Sequence, residues 1–321
     1  MKFLIAIPLV FSIIAFILSL LSLLAGYKVG FMDEYNVLTL NTSALGQQAI
    51  QNIANGQSPT ATSTSGSGGA IGSIIASATA LLPSSAASEA ASILGSVGSS
   101  VADDLATQLG ISEFYSIHAM DFCQGDFSPT ATTAGASHNV TSCTKPLDFQ
   151  AYNFTEKINQ ELSVGPFQIT LAELGVSQDI QDKLNDLPKI AKALAAVFIV
   201  SCFLTGLSML GSFGGFLLLP HKGRTISFFN FLLALLAVIL LLASSLVATI
   251  APPEVTKQLQ ENNIDAIGLE IIASKKLEAL TWAAFALELV AMFYWFYELV
   301  VECVRRRRTG GFMEKRDVYG K

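Results

Sequence analysis

Residues 3–24 read FLIAIPLVFSIIAFILSLLSLL. This stretch carries no charge and almost no polar side chain. As a helix rising 1.5 Å per residue it spans about 33 Å, enough to cross the hydrocarbon core of a bilayer. A cleaved leader is the competing reading, because Lys2 supplies a small positive region ahead of it. Leader cores usually run about 7–15 apolar residues. This one is longer, so the segment is read as a retained helix.

Three further apolar stretches, residues 190–219, 225–251 and 280–304, are each long enough to span alone. Residues 220–224 form a short polar turn between the first two of these. The chain then divides into a first helix over 1–26, a large loop domain with one disulfide over 27–189, and three helices. A smaller loop covers 252–279, and a basic tail covers 305–321.

Composition agrees. Of 321 residues, 51% are hydrophobic and only 14% charged, with mean hydropathy +0.52; a soluble domain has roughly a quarter charged. These figures argue against a disordered chain, a fibrous repeat or a soluble enzyme. A net charge of −6 and pI near 5.1 speak against nucleic-acid binding. Three histidines and four cysteines leave little material for a multi-ligand metal site.

Charge sets the expected orientation. Arg305, Arg306, Arg307 and Arg308 follow the last helix, Lys222 and Arg224 lie in the short turn, and Lys2 begins the chain. The positive-inside rule places all three regions in the cytoplasm and both loops outside. The sequons at Asn41, Asn139 and Asn153 all fall in the large loop, as acceptors for N-linked glycan must. Cys123 and Cys143 are the two cysteines of that loop, on the oxidising side, and are expected to pair. Cys202 reads as helix packing. Cys303, beside the arginines, reads either as a palmitoylation site or as a small residue at a helix end.

Within the large loop, residues 29–45 alternate enough around Val37-Leu38-Thr39-Leu40 to read as a strand. Residues 54–100 are rich in Ser, Ala, Gly and Thr, and the part up to about Gly69 reads as a flexible segment, bare or carrying O-linked sugar. Leu94, Val97, Val101, Leu105 and Leu109 recur at helical steps. Phe114–Cys123 is aromatic and β-prone, and Pro146–Phe154 is a second strand candidate. Leu171, Leu174, Ile180, Leu184 and Leu187 indicate a helix leading through Pro188 into the second span. The expected fold is an integral membrane protein, mainly α, with four transmembrane helices and a large extracellular mixed α/β cap.

One helix, a large cysteine-paired outer loop and three further helices resemble the claudin-like plan. The block Tyr115-Ser116-Ile117-His118-Ala119-Met120-Asp121-Phe122-Cys123-Gln124-Gly125, with Cys143 after Asn139-Val140-Thr141, is similar to the fungal branch of that plan. That branch holds the eisosomal Sur-seven proteins and the PalI pH-response proteins. The large loop lacks the tryptophans that claudins carry before their first outer cysteine, which argues against a tight-junction role. PalI proteins tend to have a long cytoplasmic tail, whereas this tail runs only from Arg305 to Lys321. The resemblance implies a plasma-membrane organiser of eisosome-type domains that supports membrane architecture and cell-wall integrity. Two alternatives stand beside it: an auxiliary subunit of a channel or synthase, and a PalI-like signalling protein.

No HExxH, GxSxG or Walker A sequence occurs, so neither enzyme chemistry nor a cofactor is expected. Gly66-Ser67-Gly68-Gly69 lacks the strand–helix context of a dinucleotide site. His118 and His138 flank the cysteine motif and read as packed imidazoles unless further ligands approach them. Glu288 lies deep in the fourth helix, where an ionisable group is costly. It is read either as a proton-linked or cation-attracting site, or as a protonated acid bonded to another helix. Glu298 and Glu302 lie near the arginines and are expected to pair with them. Ser208, Gly211, Ser212 and Gly215 make small-xxx-small patterns for close helix packing, within the bundle or between copies. Arg305–Arg308 attract anionic inner-leaflet lipid at about 1 kcal/mol per basic residue. The expected partners are membrane lipids together with further copies of the chain or another membrane protein.

Overall fold

The computed structural model describes residues 2–43, 112–129, 136–148, 156, 178–260 and 269–318. Helix α1 spans Lys2–Leu24, α2 Gln178–Gln260 and α3 Lys275–Val318. They contain four segments long and apolar enough to cross a membrane: Ala6–Leu24, Pro188–Leu217, Thr225–Gln258 and Lys275–Arg305.

Two of these lie within α2, which folds back on itself. A straight helix would hold residues 211 and 230 about 28 Å apart. Instead, a Cβ built on Gly211 lies 2.6 Å from Asn230 Oδ1. The expected polar turn at 220–224 is corrected in one respect: its backbone stays helical through the reversal. Helical bonding keeps amide and carbonyl groups paired where an open turn would leave them seeking water. The third span is also longer than expected. Its helix passes Ala251 and both Pro252 and Pro253, so the 252–279 loop begins as helix.

The membrane unit comprises residues 1–24, 193–250 and 275–321. Each span buries a stripe at alternating three- and four-residue steps. In α1 the stripe is Ser12, Ala15, Ser19 and Ser22; in the second span it is Ser201, Thr205, Ser208 and Ser212. The third buries Ser227, Asn230, Ala234, Ala237 and Leu241, and α3 buries Thr281, Ala284, Glu288, Ala291 and Trp295. A period of 3.5 residues keeps one seam facing its neighbours along a shallow crossing. Small side chains let the backbones approach, which drives packing where lipid removes the hydrophobic incentive. The opposite faces carry exposed Phe203, Leu210, Phe213 and Leu217.

The second unit comprises residues 25–192 and 251–274. It holds strands β1 (Leu38–Asn41), β2 (Phe114–Ile117), β3 (Phe122–Ser128), β4 (Ser137–Cys143) and β5 (Glu270–Ala273). They form one antiparallel sheet in the order β4-β3-β2-β1-β5. Strand β5 comes from the smaller loop, which the sequence analysis read without a strand. It pairs Leu38 with Ala273 and Asn41 with Glu270. The β-prone run at 114–123 is two strands joined by a turn that His118 N–H closes on the Asp121 carbonyl at 2.9 Å. A strand lies at Ser137–Cys143, ahead of the second candidate, Pro146–Phe154; of that candidate Pro146 and Leu147 form a turn, and residues 149–154 lie outside the described residues. Strand β4 buries little beyond Val140, so backbone pairing with β3 rather than apolar alternation defines it. Residues 54–100, the helix expected over 94–109, Leu171, Leu174 and Asn153 lie outside the described residues.

Candidate functional site

The buried stripes converge on a polar seam in the bundle. Ser208 donates its hydroxyl hydrogen to Oε1 of Glu288, which is fully buried. Trp295, two turns along the same stripe of α3, donates Nε1–H to Ser212 Oγ at 3.1 Å. Gly211, between these bonds, and Gly215, beyond them, make the approach possible. A Cβ on Gly215 would lie 2.5 Å from the Trp295 ring and 2.6 Å from Asn230 Nδ2. Gly214 is open to 4 Å. Ser12 on α1 approaches the Glu288 carboxyl as well. Glu288 Oε2, Ser12 Oγ and Asn230 Nδ2 are buried without a hydrogen-bond partner among the described residues.

The small-xxx-small residues of the second span therefore face the third and fourth spans of the same chain. Sequence reading found that pattern and Glu288, but missed Ser12, Asn230 and Trp295. The signal was present as the same three-and-four spacing of small residues in the other spans.

A second cluster lies in the sheet unit, at the β2–β3 turn. His118 is fully buried, with Nδ1 3.3 Å from the Tyr35 carbonyl and Nε2 3.3 Å from Ser116 Oγ. A carbonyl only accepts, so the ring proton sits on Nδ1 and Nε2 keeps its lone pair. Gly26, at φ +81°, lets the chain leaving α1 lie directly on this ring, where a Cβ would collide. Burial pushes the imidazole down to about 4, partly offset by the Tyr35 bond. Asp121 is also fully buried, and neither carboxyl oxygen has a partner among the described residues. Burial, and then the like charge of Asp33, push its carboxyl up to about 7. His138 sits edge-on to Phe114 at 4.8 Å, and burial lowers its proton affinity.

The remaining candidates are spread across the chain. Cys123 and Cys143 face each other across β3 and β4 and form a disulfide. Asn139 is exposed on the edge strand β4, with Thr141 Oγ1 donating to the Gln124 carbonyl. Asn41 is engaged in the sheet: Nδ2 donates to Glu270 at 3.3 Å and Oδ1 accepts from Ser43 Oγ at 2.7 Å. Cys303 is a half-buried free thiol. Arg305 donates to Glu302 at 3.3 Å, whereas Glu298 accepts from the Tyr294 hydroxyl at 3.1 Å. The side chains of Arg306, Arg307 and Arg308 lie outside the described residues.

No curated protein and no solved structure matches the chain significantly. The model of the SUR7/PalI family matches residues 4–294, which takes in nearly all of α1, the five strands and most of the last span. With its four candidate membrane spans, the chain is a multi-pass membrane protein belonging to the SUR7/PalI family.

Proposed function

We propose that this chain is a non-enzymatic structural organiser of the plasma membrane, working in static eisosome-type domains and supporting membrane architecture and cell-wall integrity. Both termini face the cytoplasm, residues 27–189 face outward, and Arg305–Arg308 hold anionic inner-leaflet lipid. The observation that carries this reading is the inward turn of the polar groups. Ser208 and Ser212 of the second span bond Glu288 and Trp295 of the fourth, while the outward faces present apolar side chains. Such a bundle suits lateral packing in lipid better than conduction. The test is photobleaching of a carboxyl-terminally tagged protein in cells of its source. Immobile cortical patches that disperse when Arg305–Arg308 are neutralised are expected. A mobile, uniform signal overturns the reading.

A second reading rests on a different observation. Glu288 Oε2, Ser12 Oγ and Asn230 Nδ2 are buried without partners among the described residues, and intramembrane polar groups of this kind mark ion or proton paths. On that reading the chain is an auxiliary subunit of a channel or synthase. It requires a change in current or proton flux when Glu288→Gln replaces the native residue.

A further inference from the structure

We propose that the turn leaving α1, Tyr27–Gly30, is a preformed contact for phospholipid headgroups, in the leaflet that α1 reaches at Leu24. Tyr27 and Val29 are 40% and 47% exposed, and Lys28 is exposed between them. The first apolar segment ends at Leu24. The three residues from there to Tyr27 span at most about 11 Å, so the tip stays at the bilayer surface.

The turn is fixed from within. The Gly26 amide donates to the Phe31 carbonyl at 3.0 Å, and the Phe31 amide donates to the Lys28 carbonyl at 3.1 Å. Gly26 and Gly30 take φ +81° and +84°, which glycine adopts without the steric cost of a Cβ. At the base, Gly26 lies on the His118 ring, and Asp33 Oδ2 accepts the Gly30 amide at 3.0 Å. The Tyr27 ring stands edge-on to Phe31 at 5.2 Å. The tip therefore presents three groups in a set arrangement: an apolar side chain, an aromatic ring with a polar end, and a cation. The Lys28 ammonium lies 5.8 Å from the centre of the Tyr27 ring, and no ion pair among the described residues engages it. That combination fits the headgroup layer. Tyrosine bridges the boundary between water and hydrocarbon, valine enters the acyl edge, and the ammonium meets lipid phosphate.

The test places a fluorophore on Val29→Cys in the full chain, with Cys202→Ser and Cys303→Ser removing the free thiols, in phosphatidylcholine nanodiscs. A nitroxide on the lipid headgroup is expected to quench it more than a nitroxide midway down the acyl chain. Aqueous iodide is expected to quench it less than the same fluorophore on Asn139→Cys, on the exposed edge strand β4. Lys28→Glu reverses the charge offered to phosphate and is expected to lower headgroup quenching at least about twofold. Lys28 and Val29 are both exposed, so these variants leave the packed base of the turn intact. Iodide quenching at Val29→Cys equal to that at Asn139→Cys overturns the proposal, and so does stronger quenching from the acyl chain than from the headgroup. Headgroup quenching unchanged by Lys28→Glu overturns it as well.

Discussion

Ser208 in the second span and Glu288 in the fourth, eighty residues apart in the chain, are joined by a hydroxyl–carboxyl hydrogen bond at a fully buried position. A hydroxyl is small enough to fit the stripe of close helix approach and polar enough to give the acid a partner in lipid. Removing the hydroxyl leaves Glu288 buried with less to bond. Ser208→Ala is expected to cost about 1–3 kcal/mol, whereas Glu288→Gln, which keeps an acceptor for Ser208, costs less. Thermal unfolding of the two variants in one detergent checks the order.

Gly215 and Gly214 are neighbours with opposite surroundings. Gly215→Ala places a methyl group 2.5 Å from the Trp295 ring, while Gly214→Ala meets nothing within 4 Å. Overpacking of this kind costs about 1–3 kcal/mol. The Gly215 variant should lose thermal stability and the Gly214 variant should not.

The disulfide closes a loop of sequence separation 20. In the chain-entropy account that is worth about 3 kcal/mol. Cys123→Ser with Cys143→Ser should lower the unfolding midpoint and abolish the mobility difference between reduced and non-reduced gels. Cys202→Ser should leave that mobility difference intact.

Asp121 and His118 work against each other as pH changes. Asp121 is raised to about 7, so between about 4 and 7 the folded protein holds a proton that the unfolded chain has released, and stability falls as pH rises. His118 is lowered to about 4, so below its ordinary value near 6.5 the unfolded chain takes the proton and stability falls as pH drops. The wild type should therefore show a shallow profile over this range. Asp121→Asn removes the first contribution, and its stability should climb from pH 4 to 6.5. Unfolding midpoints measured in EDTA decide it; parallel profiles for the two proteins would refute the assignment.

Asn139 and Asn41 differ in how the fold presents their sequons. Asn139 stands exposed on an edge strand, whereas the Asn41 amide donates to Glu270 across the sheet. Asn139→Gln should remove one glycan's worth of gel mobility and Asn41→Gln none, in protein expressed by a glycosylating host.

The four apolar runs and Cys123–Cys143 were readable from the sequence because each depends on local composition or on a small cysteine count. A run such as Phe3–Leu24 leaves the backbone few choices but a helix in lipid. Val37–Leu40 and Phe114–Cys123 were readable as strands by alternation and β-branched or aromatic content. Strand β4 was missed because Ser137–Cys143 is polar at nearly every position, and its strand character comes from the β3 backbone beside it. Strand β5 was missed for a related reason: Glu270–Ala273 is short, and only its pairing with Leu38–Asn41, more than two hundred residues earlier, makes it a strand.

The sequence by itself determined that the chain crosses a membrane, how many apolar segments it has, and which cysteines pair. These follow from hydropathy and chain order. The tertiary structure alone decided that Glu288 meets Ser208, that Gly215 admits Trp295, and that Asp121 lies beside His118 with no donor for its oxygens. Those relationships join residues far apart in the chain. They arise because a 3.5-residue stripe and a five-stranded register bring particular side chains to the same place, and no local pattern encodes which partner will be there.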